Sequence, residues 1–251
     1  MKRGIWRLCF VLTFLILIEV IVYNWSDHKI VIGSGGLDDK SSHSIVPSGR
    51  SEKVKPMNVP LIQQFPELPR GCEVTSLAML LGGAGIKIDK MTLADQVKKN
   101  PTPYKEIKGE IYYGDPNNGF VGNMFNINQP GLGVYHLPIF QLAKRYLSDR
   151  AIDLTGHGFS KVEEQLSKER PVWVIISPNE QPVPEEQWQI WHTEDGPIKI
   201  TYQEHSVVLT GYDQNYVYFN DPLASTKNKR ALKTDFIAAW KQFGSQAISY
   251  N

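Results

Sequence analysis

The order in which hydrophobic periodicities follow one another constrains this chain more than any other feature. Between Cys72 and about Glu169, apolar residues recur at helical spacing. From Pro171 onward they form short continuous or alternating runs. Helices first and an antiparallel sheet later is an α+β arrangement, not a string of βαβ units. Val74, Leu77, Ala78 and Leu81 stand at i, i+3, i+4 and i+7, one face of a helix that opens at Cys72 and that Gly82-Gly83 should stop. A second helix is expected over 93–99 with Thr92 as its cap. Ile139, Leu142, Ala143 and Tyr146 mark a third, and Ser160 with Glu163 forms a capping box for a fourth that runs to about Glu169.

Pro171 to Ser177 reads as a buried strand. Ile198–Tyr202, Ser206–Tyr212 and Tyr216–Phe219 read as further strands, the last two joined by a turn at Asp213-Gln214-Asn215. A helix near 235–242 and a strand at Ala247–Tyr250 close the chain. Residues 100–135, rich in Gly, Pro and Asn, read as one long ordered loop. Residues 178–196 read as an insert. Its Trp188, Trp191 and His192 form a packed surface flap or, in the alternative, a lip for substrate.

The first 55 residues differ from the rest. Lys2, Arg3 and Arg7 precede an apolar run from Leu8 to Ile18, and Glu19 interrupts it before Val20 to Tyr23. Ile5 to Tyr23 is just long enough to span a bilayer. No Ala-x-Ala pattern marks a cleavage site, so residues 1–25 are expected to be a signal-anchor, with a cleaved signal peptide as the alternative. Positive charge stays inside, which places the remainder outside the cytoplasm, membrane-bound or secreted. Residues 26–55 hold 11 Ser and Gly and no aromatic residue, a composition expected of a flexible linker. Residues 56–251 are then one folded domain. Lys and Arg total 27 against 26 Asp and Glu, a net charge of +1, so no global positive field invites nucleic acid. A mean hydropathy of −0.29 excludes a protein of many membrane spans.

Two cysteines are present, and Cys9 lies in the apolar N-terminal run. Cys72 is therefore the one thiol of the folded domain, at or just before a helix N-terminus, where the helix dipole favours thiolate. His205 opens the strand HSVVLTGY, and Asp221 follows the strand YVYFN. A hairpin centred on Gln214 sets these two on neighbouring strands, with side chains roughly 5 Å apart at Cβ on a shared face. Together they have the residue types of a nucleophile, a base and an orienting carboxylate. An oxyanion would take the backbone N–H of Cys72 and a side-chain amide, Gln64 or Gln63. His136 and His157 read as structural, and the four histidines of the domain, His136, His157, His192 and His205, lack the close His/Cys pairing of a zinc site.

PLIQQFPELPRGCEVTSLAMLL, the GDPNNGFVG loop, and EHSVVLTGYD followed by NDP resemble the papain-like cysteine peptidases of the double-glycine leader peptidase type, in particular their stand-alone C39-like branch. The resemblance spans about 56–251. It implies a papain-like fold, with an N-terminal helical part packed on a C-terminal antiparallel sheet, and a site made of Gln64, Cys72, His205 and Asp221. It implies hydrolysis of a peptide or protein substrate through a thioester, with no metal or organic cofactor. Gln64 stands eight residues before Cys72, further than in many relatives, so Gln63 stays open. Two other functions are compatible with these residues: an amidase or acyltransferase on the same fold, and a retired peptidase that binds peptides without cutting them.

Overall fold

The computed structural model describes residues 53–251. The expected anchor (1–25) and nearly all of the expected linker (26–55) lie outside the described residues. Among those that are described, no helix is long and apolar enough to cross a membrane. The chain is already tied into the fold at Val54, which bridges Tyr212 through hydrogen bonds of 2.8 and 3.0 Å.

The first helix, α1 (Cys72–Gly83), is buried from Cys72 to Leu81 on every side, not along one stripe. That follows from its text: Met79 and Leu80 fill the flank the i, i+3, i+4 pattern leaves open, and the polar residues within it are few. Gly82 and Gly83 do not stop the helix but belong to it. A Cβ on Gly82 would meet Pro60 Cγ at 2.4 Å, and one on Gly83 would meet Pro171 Cγ at 2.7 Å, so both are sites of close packing. The turn comes two residues later, at Gly85, whose φ is +81°.

The second helix, α2, covers Lys90–Gln96 rather than 93–99. Its cap is Asp89, which accepts the Thr92 N–H at 2.9 Å and the Thr92 hydroxyl at 2.6 Å. Thr92 is thus the third residue of the helix and not its cap. The helix ends early because Lys99–Asn100 (β1) leaves to pair in parallel with Phe120–Val121 (β4). Between them Lys105–Ile107 (β2) and Glu110–Tyr112 (β3) form a hairpin. The supposed long loop is therefore partly a set of strands two or three residues long.

Helix α3 (His136–Leu147) turns Ile139, Leu142 and Ala143 inward, as its spacing predicts. A short strand, β5 (Ala151–Asp153), leads to α4 (Phe159–Ser167). The Ser160/Glu163 capping box is absent: Gly158 stands at the cap with no side-chain bond, and Glu163 pairs instead with Lys233. The start of α4 is fixed by Phe159, whose ring packs on Phe236 and Trp240.

The remaining elements are β6 (Val172–Ile176), β7 (Gln189–Thr193), β8 (Gly196–Ile200), β9 (His205–Tyr212), β10 (Tyr216–Asn220), β11 (Lys229–Leu232), α5 (Lys233–Gln242) and β12 (Ala247–Tyr250). Six strands in the order β11-β10-β9-β6-β12-β5 make the main sheet, and every neighbouring pair in it is antiparallel. The papain-like α+β architecture is thus present, with helices on both faces of the sheet. Trp173, Ile175, Val208 and Ile248 face α1 to α3, while Val172, Val174, Ile176, Val207 and Leu209 face α4 and α5. A central strand buried on both faces reads as an unbroken apolar run, which explains VWVII in β6.

The expected insert supplies β7 to a second sheet, ordered β2-β3-β7-β8, whose first two strands come from the supposed loop and whose last, expected at 198–202, lies at Gly196–Ile200. Trp191 is fully buried beneath it, with Tyr113, Val121, Leu132 and Ile200, and His192 stacks on Tyr112. The packed reading of this segment holds for those two residues.

Candidate active site

The N-terminus of α1 is bolted to the main sheet by two buried bonds. Ser76 Oγ donates to the Ser206 carbonyl on β9 at 2.9 Å, and the Trp173 indole of β6 donates to the Glu73 carbonyl at 3.0 Å. These bonds hold Cys72, the first residue of the helix, beside the start of β9, where His205 stands.

On the other side of His205, the β9–β10 hairpin carries a bulge between Tyr218 and Phe219 that shifts the register by one residue. Beyond the bulge β10 ends at Asn220, and in the next residue Asp221 Oδ1 meets His205 Nε2 at 2.8 Å. Both residues are buried. The carboxylate is held further by the Leu223 N–H at 2.8 Å and by Lys229 Nζ at 2.8 Å. Burial alone would raise the Asp221 carboxyl, but the bonds and charges of His205, Lys229 and Leu223 outweigh it and hold the carboxyl well below its ordinary range. Lys229, which no sequence pattern singled out, bridges Asp221 to Glu180.

Cys72, His205 and Gln64 line one cleft of about 500 Å³. Its rim is apolar and exposed at Phe65, Ile127, Tyr202 and Leu223. Arg70 fixes one side of it by donating to the carbonyls of Asn123, Asn126 and Ile127 at 2.9–3.2 Å. Gln64 is buried, and its amide nitrogen donates to the Leu68 and Pro69 carbonyls at 3.2 and 3.0 Å. Gln63 is turned elsewhere, its amide reaching the Ala224 carbonyl at 3.4 Å. Of the two glutamines, Gln64 is the one at the cleft.

The geometry also brings in two residues that the sequence reading passed over. Cys72 Sγ contacts Glu73 Oε2 at 3.4 Å, and one donor atom each from Cys72, Glu73 and Glu204 lies within 4.8 Å of the others. Glu73 Oε1 accepts the Val134 N–H at 2.6 Å. The two carboxyls converge over Gly133, where a Cβ would stand 2.2 Å from Glu73 Oε1 and 2.7 Å from Glu204 Oε2. Burial first, then the Glu73 and Glu204 charges, pushes the Cys72 thiol well above its ordinary value, against a Ser206 backbone N–H that favours thiolate. The thiolate expected at the helix N-terminus is therefore disfavoured by burial first and by two acidic neighbours second. One signal was available: Glu73 is the only charged residue in the twelve of α1.

The family model described as the Peptidase_C39 like family matches residues 56–248. The chain belongs to this family. The uncharacterized protein YvpB of Bacillus subtilis (strain 168) is 53% identical over 197 residues, 77% of this chain and 75% of YvpB. A crystal structure from Bacillus anthracis, of a protein put forward as a C39-like peptidase, superposes with a TM-score of 0.74 at 48% identity. It covers 80% of this chain and 98% of the solved one. Membership in the C39-like family supports a peptidase-type function in broad terms.

Proposed function

We propose that this C39-like protein is a cysteine peptidase that hydrolyses peptide bonds through an acyl-thioester on Cys72. The observation that carries this reading is the 2.8 Å contact between His205 and Asp221 behind a cleft that His205 and Cys72 both line. Asp221 engages Nε2, which fixes the tautomer with Nδ1 as the basic nitrogen. The Cys72 thiol leaves Glu73, gives its proton to His205, and the sulfur attacks the acyl carbon. The C–N bond breaks, and the leaving amine takes the proton from the imidazolium. A water then gives a proton to His205 and attacks the thioester. The C–S bond breaks and the thiol is re-formed.

The oxyanion of each tetrahedral intermediate takes the Cys72 N–H, which has no partner within its own helix, and the Gln64 amide. Gln64 would give up its longer bond, the 3.2 Å one to Leu68, to reach it. The proposal further places the domain outside the cytoplasm, held by residues 1–25. Digestion of a peptide library by the wild-type chain and by Cys72→Ala tests the chemistry. Cleavage by the wild type alone is expected. Equal cleavage by both removes Cys72 as nucleophile, and turnover of simple amides or acyl donors without peptide cleavage selects the amidase or acyltransferase reading.

A further inference from the structure

Glu73 and Glu204 take no part in the peptidase chemistry just described, yet they crowd its nucleophile. Glu73 is fully buried, and Oε1 of Glu204 is buried with no hydrogen-bond partner. The groups facing the pair come from several elements: Cys72 on α1, Tyr135 ahead of α3, and His205 at the start of β9. No cation among the described residues pairs with either carboxyl. Arg70, which lines the cleft with Glu204, is engaged by three loop carbonyls, and Lys229 is engaged by Asp221 and Glu180. Gly133 is what lets the two side chains come so close.

Two carboxylates this close, Glu73 fully buried and Glu204 half-buried with one oxygen sealed from solvent, and neither paired with a cation, cannot both stay ionised at low cost. A proton held between them neutralises one. It also supplies the donor or acceptor that the buried Glu204 oxygen otherwise lacks. We propose that Glu73 and Glu204 act as one acid pair that shares a proton and thereby controls whether Cys72 can ionise. With the proton in place, Glu73 makes a weaker claim on the thiol, and the sulfur is free to transfer its hydrogen to His205. With the proton lost, the pair carries two negative charges within 4.8 Å of the sulfur and keeps it as a thiol. The pair is thus a positioning and gating element and not part of the bond-making machinery. Burial raises both carboxyls above their ordinary values, which is the direction the pair requires.

The inference builds on the peptidase reading, but its test does not need turnover. The rate of Cys72 alkylation by iodoacetamide is measured from pH 5 to 10 in the wild-type chain, Glu204→Gln and Glu73→Gln. Each replacement keeps the shape and removes one charge, so the apparent thiol pKa should fall by about one unit or more, a tenfold faster reaction at neutral pH. An unchanged or raised thiol pKa in folded Glu204→Gln and Glu73→Gln overturns the proposal. If the variants do not fold, carbon-13 carboxyl spectra of the wild-type chain decide: a glutamate titrating above pH 6 sustains the pair, and titration of every glutamate between about 4 and 5 refutes it. Faster alkylation in a protein that cleaves no peptide sinks the peptidase reading and leaves the pair standing. Peptide cleavage with unaltered alkylation in the two glutamine replacements does the reverse.

Discussion

Replacing Glu73 by Gln should make the protein more stable at neutral and alkaline pH, an unusual outcome for a fully buried hydrogen-bonded side chain. The Glu73 carboxyl is pushed from 4.5 to about 7, by burial above all, against its own backbone N–H, the Val134 N–H and the Cys72 thiol. The folded chain therefore holds a proton that the unfolded chain has already released. A raised carboxyl contributes stability that is complete below its unfolded value of 4.5 and is lost as the pH rises through 7. A difference of about 2.5 pKa units corresponds to about 3 kcal/mol. Gln carries no charge at any pH. Its carbonyl oxygen can still take the Val134 N–H, and its amide would face the sulfur where Glu73 Oε2 now stands at 3.4 Å. Urea unfolding of both proteins at pH 4.5, 6, 7 and 8.5 reads the effect directly. The two curves of stability against pH should meet near pH 4.5 and diverge upward, with Glu73→Gln ahead by about 3 kcal/mol at pH 8.5. Parallel curves, or a Glu73→Gln chain that is weaker throughout, would refute the reasoning, because the buried charge would then carry no cost.

The Asp221 carboxylate and the proposed placement of the domain give further outcomes. Asp221→Asn should lower kcat/KM by about 10²-fold or more, since His205 loses the partner that fixes its tautomer. Because the Asp221 carboxyl is held below its ordinary range, the stability it contributes is present above its unfolded value and fades as pH falls. Unfolding curves of Asp221→Asn and the wild type should therefore converge in acid and separate as the pH rises. Protease added to intact cells should remove the domain if it faces outward; full protection in cells, with digestion only after lysis, sinks that placement.

The parts of the site legible in the sequence were those set by local pattern. Cys72 opens a helix because irregular chain with Pro66, Pro69 and Gly71 precedes an apolar run. His205 and Asp221 meet because a hairpin turn at 213–215 fixes which residues lie opposite, and the bulge at Tyr218/Phe219 displaces that register by only one residue. The final strand, expected near Ala247 to Tyr250, lies at Ala247–Tyr250. What escaped was set by distant partners. Strands β1 to β4 are two or three residues long, too short to show a period, and β3 exists because Ile111 and Tyr112 find Trp191 and His192 some eighty residues away. Asp89 wins the cap of α2 because its carboxylate reaches both polar groups of Thr92. The Glu73–Glu204 contact joins a helix to the approach to β9 through a glycine on a third segment, and no spacing rule connects those three positions.

The main sheet ends in β5 and β11, strands of three and four residues. Exposed main-chain donors and acceptors at a sheet margin invite another copy to add on, and short margins bearing charge discourage it. Two of the four residues in β11 are Lys229 and Arg230. The two divide the work: the Lys229 ammonium steadies the carboxylate behind the histidine, and the exposed Arg230 charge makes the margin a poor template for stacking molecules into fibres.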